Sequence, residues 1–154
     1  MVKVYRLNIP PCPKPRMTKA DRWRKRPSVL KFFEFRDAVK DYIYRIKKIF
    51  DEEQGCFQQI GTNLMIKKGK TVFIAEAKLE FDTFEIEFHV PMPQSWSKKK
   101  KAKMIGKPHQ QRPDLDNYLK AWKDSVYEED AVVWKVKASK LWTDGTGHII
   151  VNYL

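Results

Sequence analysis

The chain has 154 residues, 42% of them hydrophobic and 13% aromatic, with 31 Lys and Arg against 19 Asp and Glu, a formal net charge of +12. That apolar content excludes a wholly disordered chain, and the length suits one domain, here 1–154, with a core of its own. No apolar run approaches the ~18 residues a membrane span needs, whereas the basic excess favours a polyanionic partner.

The opening residues VKVYRLNI alternate and predict a strand over 2–9, which Pro10, Pro11, Pro13 and Pro15 end as a stiff extended loop. The stretch MVKVYRLNIPPCPKPR has no long apolar run and no small-residue cleavage site, so it does not read as a signal peptide. Cys12 and Cys56 lie 44 positions apart, outside any CxxC pair. That argues against zinc and suits incidental thiols in a reducing cytosol. A basic arm follows: Lys14, Arg16, Lys19, Arg22, Arg24, Lys25 and Arg26, with Trp23 among them. Ser28 is a plausible N-cap for a helix over about 29–52, whose apolar face is read as Leu30, Phe33, Ala38, Ile43, Ile46 and Phe50.

Residues 53–70 carry no clear pattern, although Leu64-Met65-Ile66 suggests a short strand with Val72-Phe73-Ile74 as its hairpin partner. A strand is expected over 78–90, with a slip of phase near Asp82-Thr83. Ser97 caps a short basic helix over 98–104 that carries Lys98, Lys99, Lys100, Lys101 and Lys103. Gly106 and Pro108 stop it. Leu115, Leu119, Trp122 and Val126 are spaced 4, 3 and 4, the stripe of an amphipathic helix that starts near Asp114. Val132, Trp134, Val136, Ala138 and Trp142 mark a long strand, Asp144–Gly147 a turn and HIIVNYL the last strand. Strands around two or three helices predict a small α/β (α+β) domain with a mixed β-sheet.

The stretch 112–130, RPDLDNYLKAWKDSVYEED, gathers six acids in a basic protein. Asp114 and Asp116 would stand at the positive end of a helix dipole, which favours their charged forms. Mg²⁺ commonly takes one or two carboxylates together with water and substrate phosphate. The pair would share one face only where 114–116 are still extended, because i and i+2 diverge on a helix. Asp130 is the candidate third ligand, within reach only where the helix stops close to Ser125. Lys120 is placed to hold a phosphate, or else to form an ordinary i,i+4 pair with an aspartate. A capped helix with a solvated acidic end and a metal site are both compatible with the spacing. His109 reads as a surface-loop histidine, His89 and His148 as structural, and Trp134 and Trp142 as core or dimer-interface residues.

Pro113-Asp114-Leu115-Asp116-Asn117, followed by Lys120, Asp124 and Glu129-Asp130, resembles the RusA family of Holliday junction resolvases, common in bacteriophages and prophages. The stretches MPQSWSKKKKAKMIGKPHQQ and PRMTKADRWRKRP resemble phage members too, while 53–75 matches nothing in that pattern. The resemblance implies a RusA-like domain and a homodimeric, Mg²⁺-dependent endonuclease, with Mn²⁺ as a substitute ion. It would cut four-way DNA junctions by symmetric nicks in recombination and repair, in the cytoplasm of a bacterial host. By motif position it implies metal ligation by Asp114, Asp116 and Asp130, with Lys120 completing the catalytic set. The interval before Asp130 is shorter than in the bacterial pattern, and Glu129 is the alternate ligand. The basic arm and the lysine run are the expected DNA contacts. The rival readings are a non-catalytic basic DNA-binding module and a DxD-type nucleotide-sugar transferase.

Overall fold

The computed structural model describes residues 3–52, 57–60, 63–68, 71–75 and 82–153. In chain order they form β1 (Lys3–Leu7), α1 (Pro27–Glu52), β2 (Phe57–Ile60), β3 (Asn63–Lys68), β4 (Thr71–Ala75), β5 (Thr83–Pro91), α2 (Lys98–Met104), α3 (Leu115–Val126), β6 (Lys135–Thr143) and β7 (His148–Tyr153). Short 3-10 turns stand at Lys19–Arg22 and Asp130–Val132.

A four-stranded mixed sheet runs in the order β1-β7-β5-β6. The β1–β7 and β7–β5 pairs are antiparallel and β5–β6 is parallel. A parallel pair needs a crossover, and this one contains both α2 and α3. The acidic stretch therefore sits in the connection between two neighbouring strands. β2, β3 and β4 form a separate antiparallel sheet. Its β3–β4 register sets Met65 opposite Ile74 and Ile66 opposite Phe73, the hairpin the sequence suggests. β2 carried no recognisable signal.

Burial alternates along β5: Phe84, Ile86 and Phe88 turn inward. They join Leu7, Ile149 and Val151 from β1 and β7 in a core with Tyr118, Ala121, Trp122 and Val126 of α3 and with Phe32, Phe35 and Val39 of α1. Tyr118 packs on Phe88 with ring centroids 5.5 Å apart. Burial, and secondarily the neighbouring Cys12, pushes its phenol up to about 12.

Three expectations are corrected. α1 begins at Pro27, not after a Ser28 cap: Leu30 N–H donates to the Arg26 carbonyl, and Pro27 takes the first helical position, where its missing N–H costs nothing. The helix also buries Val29, Phe32, Phe35 and Val39, a stripe one position away from the expected one, and leaves Leu30 40% exposed. The strand expected from 132 starts at Lys135, because Asp130–Val132 forms a turn; Val132 and Trp134 consequently lie outside it, exposed. Residues 78–81 of the strand expected over 78–90 lie outside the described residues, as does Cys56.

Candidate active site and nucleic-acid interface

Asp114 is the residue before α3, with extended backbone (φ −69°, ψ 150°), and its side chain accepts no capping bond. The Asn117 N–H bonds instead to the Asp114 carbonyl. An N-cap aspartate ordinarily spends its carboxylate on the helix N–H groups; this one does not. Asp116 lies in the first helical turn, so the two acids straddle the helix start rather than share an extended segment. Both are exposed. Lys120 Nζ stands 3.4 Å from Asp116 Oδ2, one turn along the helix.

The helix ends at Val126. Asp130 comes back to α3 at Lys123, with Lys123 Nζ 3.2 Å from its Oδ2. Glu129 turns its carboxylate to its own turn, where it accepts from the Ala131 N–H at 3.2 Å. Lys123 stands seven residues past Asp116, about 10 Å along the helix axis and close to two full turns, so Asp116, Lys120 and Lys123 share one side of α3. Among the described residues, no three His, Cys, Asp or Glu side chains form a group able to hold a metal ion. Asp124 faces elsewhere and pairs with Lys14.

The segment between α2 and α3 is laid along the free edge of β6. The Gly106 N–H donates to the Trp142 carbonyl at 2.8 Å, the Trp142 N–H to Lys107 at 2.9 Å, and the His109 N–H to Lys140 at 3.0 Å. Pro108 and Leu141 form an antiparallel bridge. Lys140 Nζ then donates to the carbonyls of Gln111 and Pro113 at 2.5 and 2.6 Å. His109 corrects its sequence reading. It is buried, its ring 4.0 Å from that of Trp142, and burial followed by the charge of Lys140 lowers its pKa. A histidine in a Pro- and Gln-rich stretch gave no sign of that edge pairing. Trp142 is buried, as expected; Trp134 is 71% exposed, with its indole N–H bonded to Asp82 at 3.2 Å.

The basic surface divides by how its charges are occupied. Arg26 grips both carboxylate oxygens of Asp21, at 2.5 and 2.6 Å, and the Arg16 carbonyl at 2.8 Å. The guanidinium holds the Asp21 carboxyl well below its usual range. Lys14 is tied to Asp124 and lies over the Phe32 ring. These two cations organise the arm. Arg16, Lys19, Arg22, Arg24 and Lys25 are exposed around Trp23, itself 83% exposed. On α2, the Ser97 hydroxyl accepts from the Lys100 N–H, as the sequence predicts. Lys98, Lys99 and Lys103 are exposed and Lys101 half-buried, while Lys100 lies 4.1 Å from the Trp96 ring centroid. Trp96 rests on Trp142, which anchors the basic helix to the sheet.

The sequence model of the family described as Endodeoxyribonuclease RusA matches residues 9–152. The chain belongs to the RusA endodeoxyribonuclease family. The match spans the arm, both helices of the crossover and the acidic stretch, and it agrees with an α+β domain built on a four-stranded mixed sheet. No curated protein sequence matches the chain. Among the described residues, no helix is long and apolar enough to cross a membrane. Lys123 and Lys140 were absent from the sequence-derived site. Lys123 had a signal in its seven-residue spacing from Asp116. Lys140 had none, because only the strand register brings it to the acidic stretch.

Proposed function

We propose that this protein is a Mg²⁺-dependent endonuclease that nicks four-way DNA junctions symmetrically, acting as a homodimer in DNA recombination and repair. The observation that carries the reading is the exposed start of α3, with two aspartates and Lys120, in a chain of the RusA family that also carries a lysine-rich helix. Family membership removes the support for a nucleotide-sugar transferase. A phage or prophage origin and action in the cytoplasm of a bacterial host accompany the same reading.

The donor chemistry suits a hard cation. Asp114 offers a carboxylate free of its capping role, and Asp116 offers a second one turned to solvent. Two carboxylates with water and substrate phosphate are a common Mg²⁺ environment, which Mn²⁺ also accepts. Asp114 and Asp116 would hold the ion; Asp130, paired with Lys123 two turns further along α3, would have to move toward them to serve as the third ligand. When bound, the ion would supply Lewis acidity and a lowered pKa for attacking water. Lys120, already beside Asp116, would turn its ammonium to the scissile phosphate and offset the charge that develops there. The α2 lysines and the exposed arm cations would hold the flanking phosphates, which positions DNA without reading its sequence.

The test is incubation of purified protein with a synthetic four-way junction, with and without Mg²⁺ or Mn²⁺. Paired, symmetric nicks that need the metal are expected. Metal-independent binding without nicking would replace this reading with a non-catalytic DNA-binding module.

A further inference from the structure

We propose that Lys140 is a positioning residue for the reaction: its ammonium fixes the backbone that presents Asp114. The inference rests on the nuclease reading above and concerns a residue outside the acidic motif. Lys140 lies on β6, 26 positions after Asp114 in the chain. Its Nζ donates to the Gln111 and Pro113 carbonyls, and Asp114 follows Pro113 directly. Bonds from an ammonium to carbonyl oxygen are charge-assisted and roughly twice as strong as neutral ones.

Two further observations make the anchor matter. Asp114 does not hold its own helix start, because its side chain makes no capping bond. The place of its carboxylate is therefore set by backbone, pinned on one side by Lys140 and on the other by the Lys14 N–H bonded to the Asn117 carbonyl at 2.9 Å. The anchor itself is registered: the Lys140 carbonyl accepts from the His109 N–H, and Pro108 bridges to Leu141. β6 thus carries both the edge that receives the segment and the cation that closes it. A neutral aliphatic side chain at 140 would keep the edge pairing and lose the closure.

The experiment compares wild type, Lys140→Met and Lys140→Arg by three readouts. These are single-turnover nicking of a four-way junction at saturating enzyme, junction Kd without metal, and Mn²⁺ affinity by calorimetry without DNA. Lys140→Met is expected to slow nicking and weaken Mn²⁺ binding by about 10–100-fold each, the usual cost of losing a group that orients a ligand. Its junction Kd stays at the wild-type value. Lys140→Arg, which keeps charge and donors, is expected to recover most of both. Circular dichroism checks folding, and Lys140→Gln replaces Lys140→Met where the latter does not fold. Wild-type nicking and Mn²⁺ affinity in the Met or Gln variant would overturn the inference, as would loss of thermal stability alone. A wild-type protein that neither nicks nor binds Mn²⁺ would overturn the nuclease reading itself, and the inference with it.

Discussion

Neutralising Lys99 and Lys103 together is expected to flatten the salt dependence of junction binding, whereas neutralising Arg26 is not. Both lysines are exposed on α2, and four residues apart they share one side of the helix. Their neighbours are occupied differently: Lys100 lies over Trp96, and Lys101 lines a cleft with Met92, Ile105 and Thr143. Each phosphate contact contributes about 0.9 to the slope of log K against log salt, so the double Gln variant should lower that slope by about 1.8. Between about 50 and 200 mM salt, a change of ~0.6 log units, wild type should then lose roughly ten times more affinity than the variant. Arg26 is committed to Asp21 and to the Arg16 carbonyl, so its contribution goes into holding the arm. Arg26→Gln is expected to leave the slope at its wild-type value. Anisotropy of a labelled junction without divalent metal, at several salt concentrations, measures all three proteins. An unchanged slope in the double variant would refute the placement of DNA on α2. A slope flattened equally by Arg26→Gln would refute the division of the basic surface into occupied and available charges.

Asp114→Asn or Asp116→Asn is expected to abolish nicking with junction Kd preserved; loss of the exposed Asp116–Lys120 pair costs only about 0.2–0.5 kcal/mol in stability. Full nicking activity in either variant would remove these residues from the site. Asp21→Asn should destabilise the protein at neutral pH, read as a lower urea midpoint. Because the folded Asp21 pKa lies below its ordinary 3.8, its contribution is present above that value and fades as pH falls through the folded one, so the gap between the two proteins should close in acid. A gap that widens in acid would contradict the Arg26 clamp. Trp122 is fully buried, and Trp122→Ala should cost about 3–5 kcal/mol by denaturant unfolding. Gly147 has φ +90°, and a Cβ there would stand 2.8 Å from the His89 carbonyl oxygen. Gly147→Ala should cost about 1–3 kcal/mol; a wild-type melting temperature would show that the β6–β7 turn relaxes freely.

Local signals carried well where they were self-contained. α2 needs only Ser97 and a run of good helix formers, and α3 needs only the stripe from Leu115 to Val126 with Asp114 before it. The face of α1 was misread because Phe32, Phe33 and Phe35 crowd one turn, and periodicity cannot say which of them the sheet will cover. His109 was misread for a related reason. Its burial depends on pairing with residues 140–142, some thirty positions on, and no local pattern encodes that.

By itself the sequence determined the basic surface, the two crossover helices and the family, because charge, capping and a spaced acidic motif are local properties of the chain. Only the tertiary structure decided which cations are occupied and which are available. It also decided how the start of α3 is held. Asp114 and Asp116 are neighbours in sequence, but Lys140 and Lys14 reach the start of α3 from β6 and from the proline loop. Those meetings depend on the order of strands and the register of the β6 edge, which are fixed only when β5 and β6 pair in parallel and the crossover packs against them.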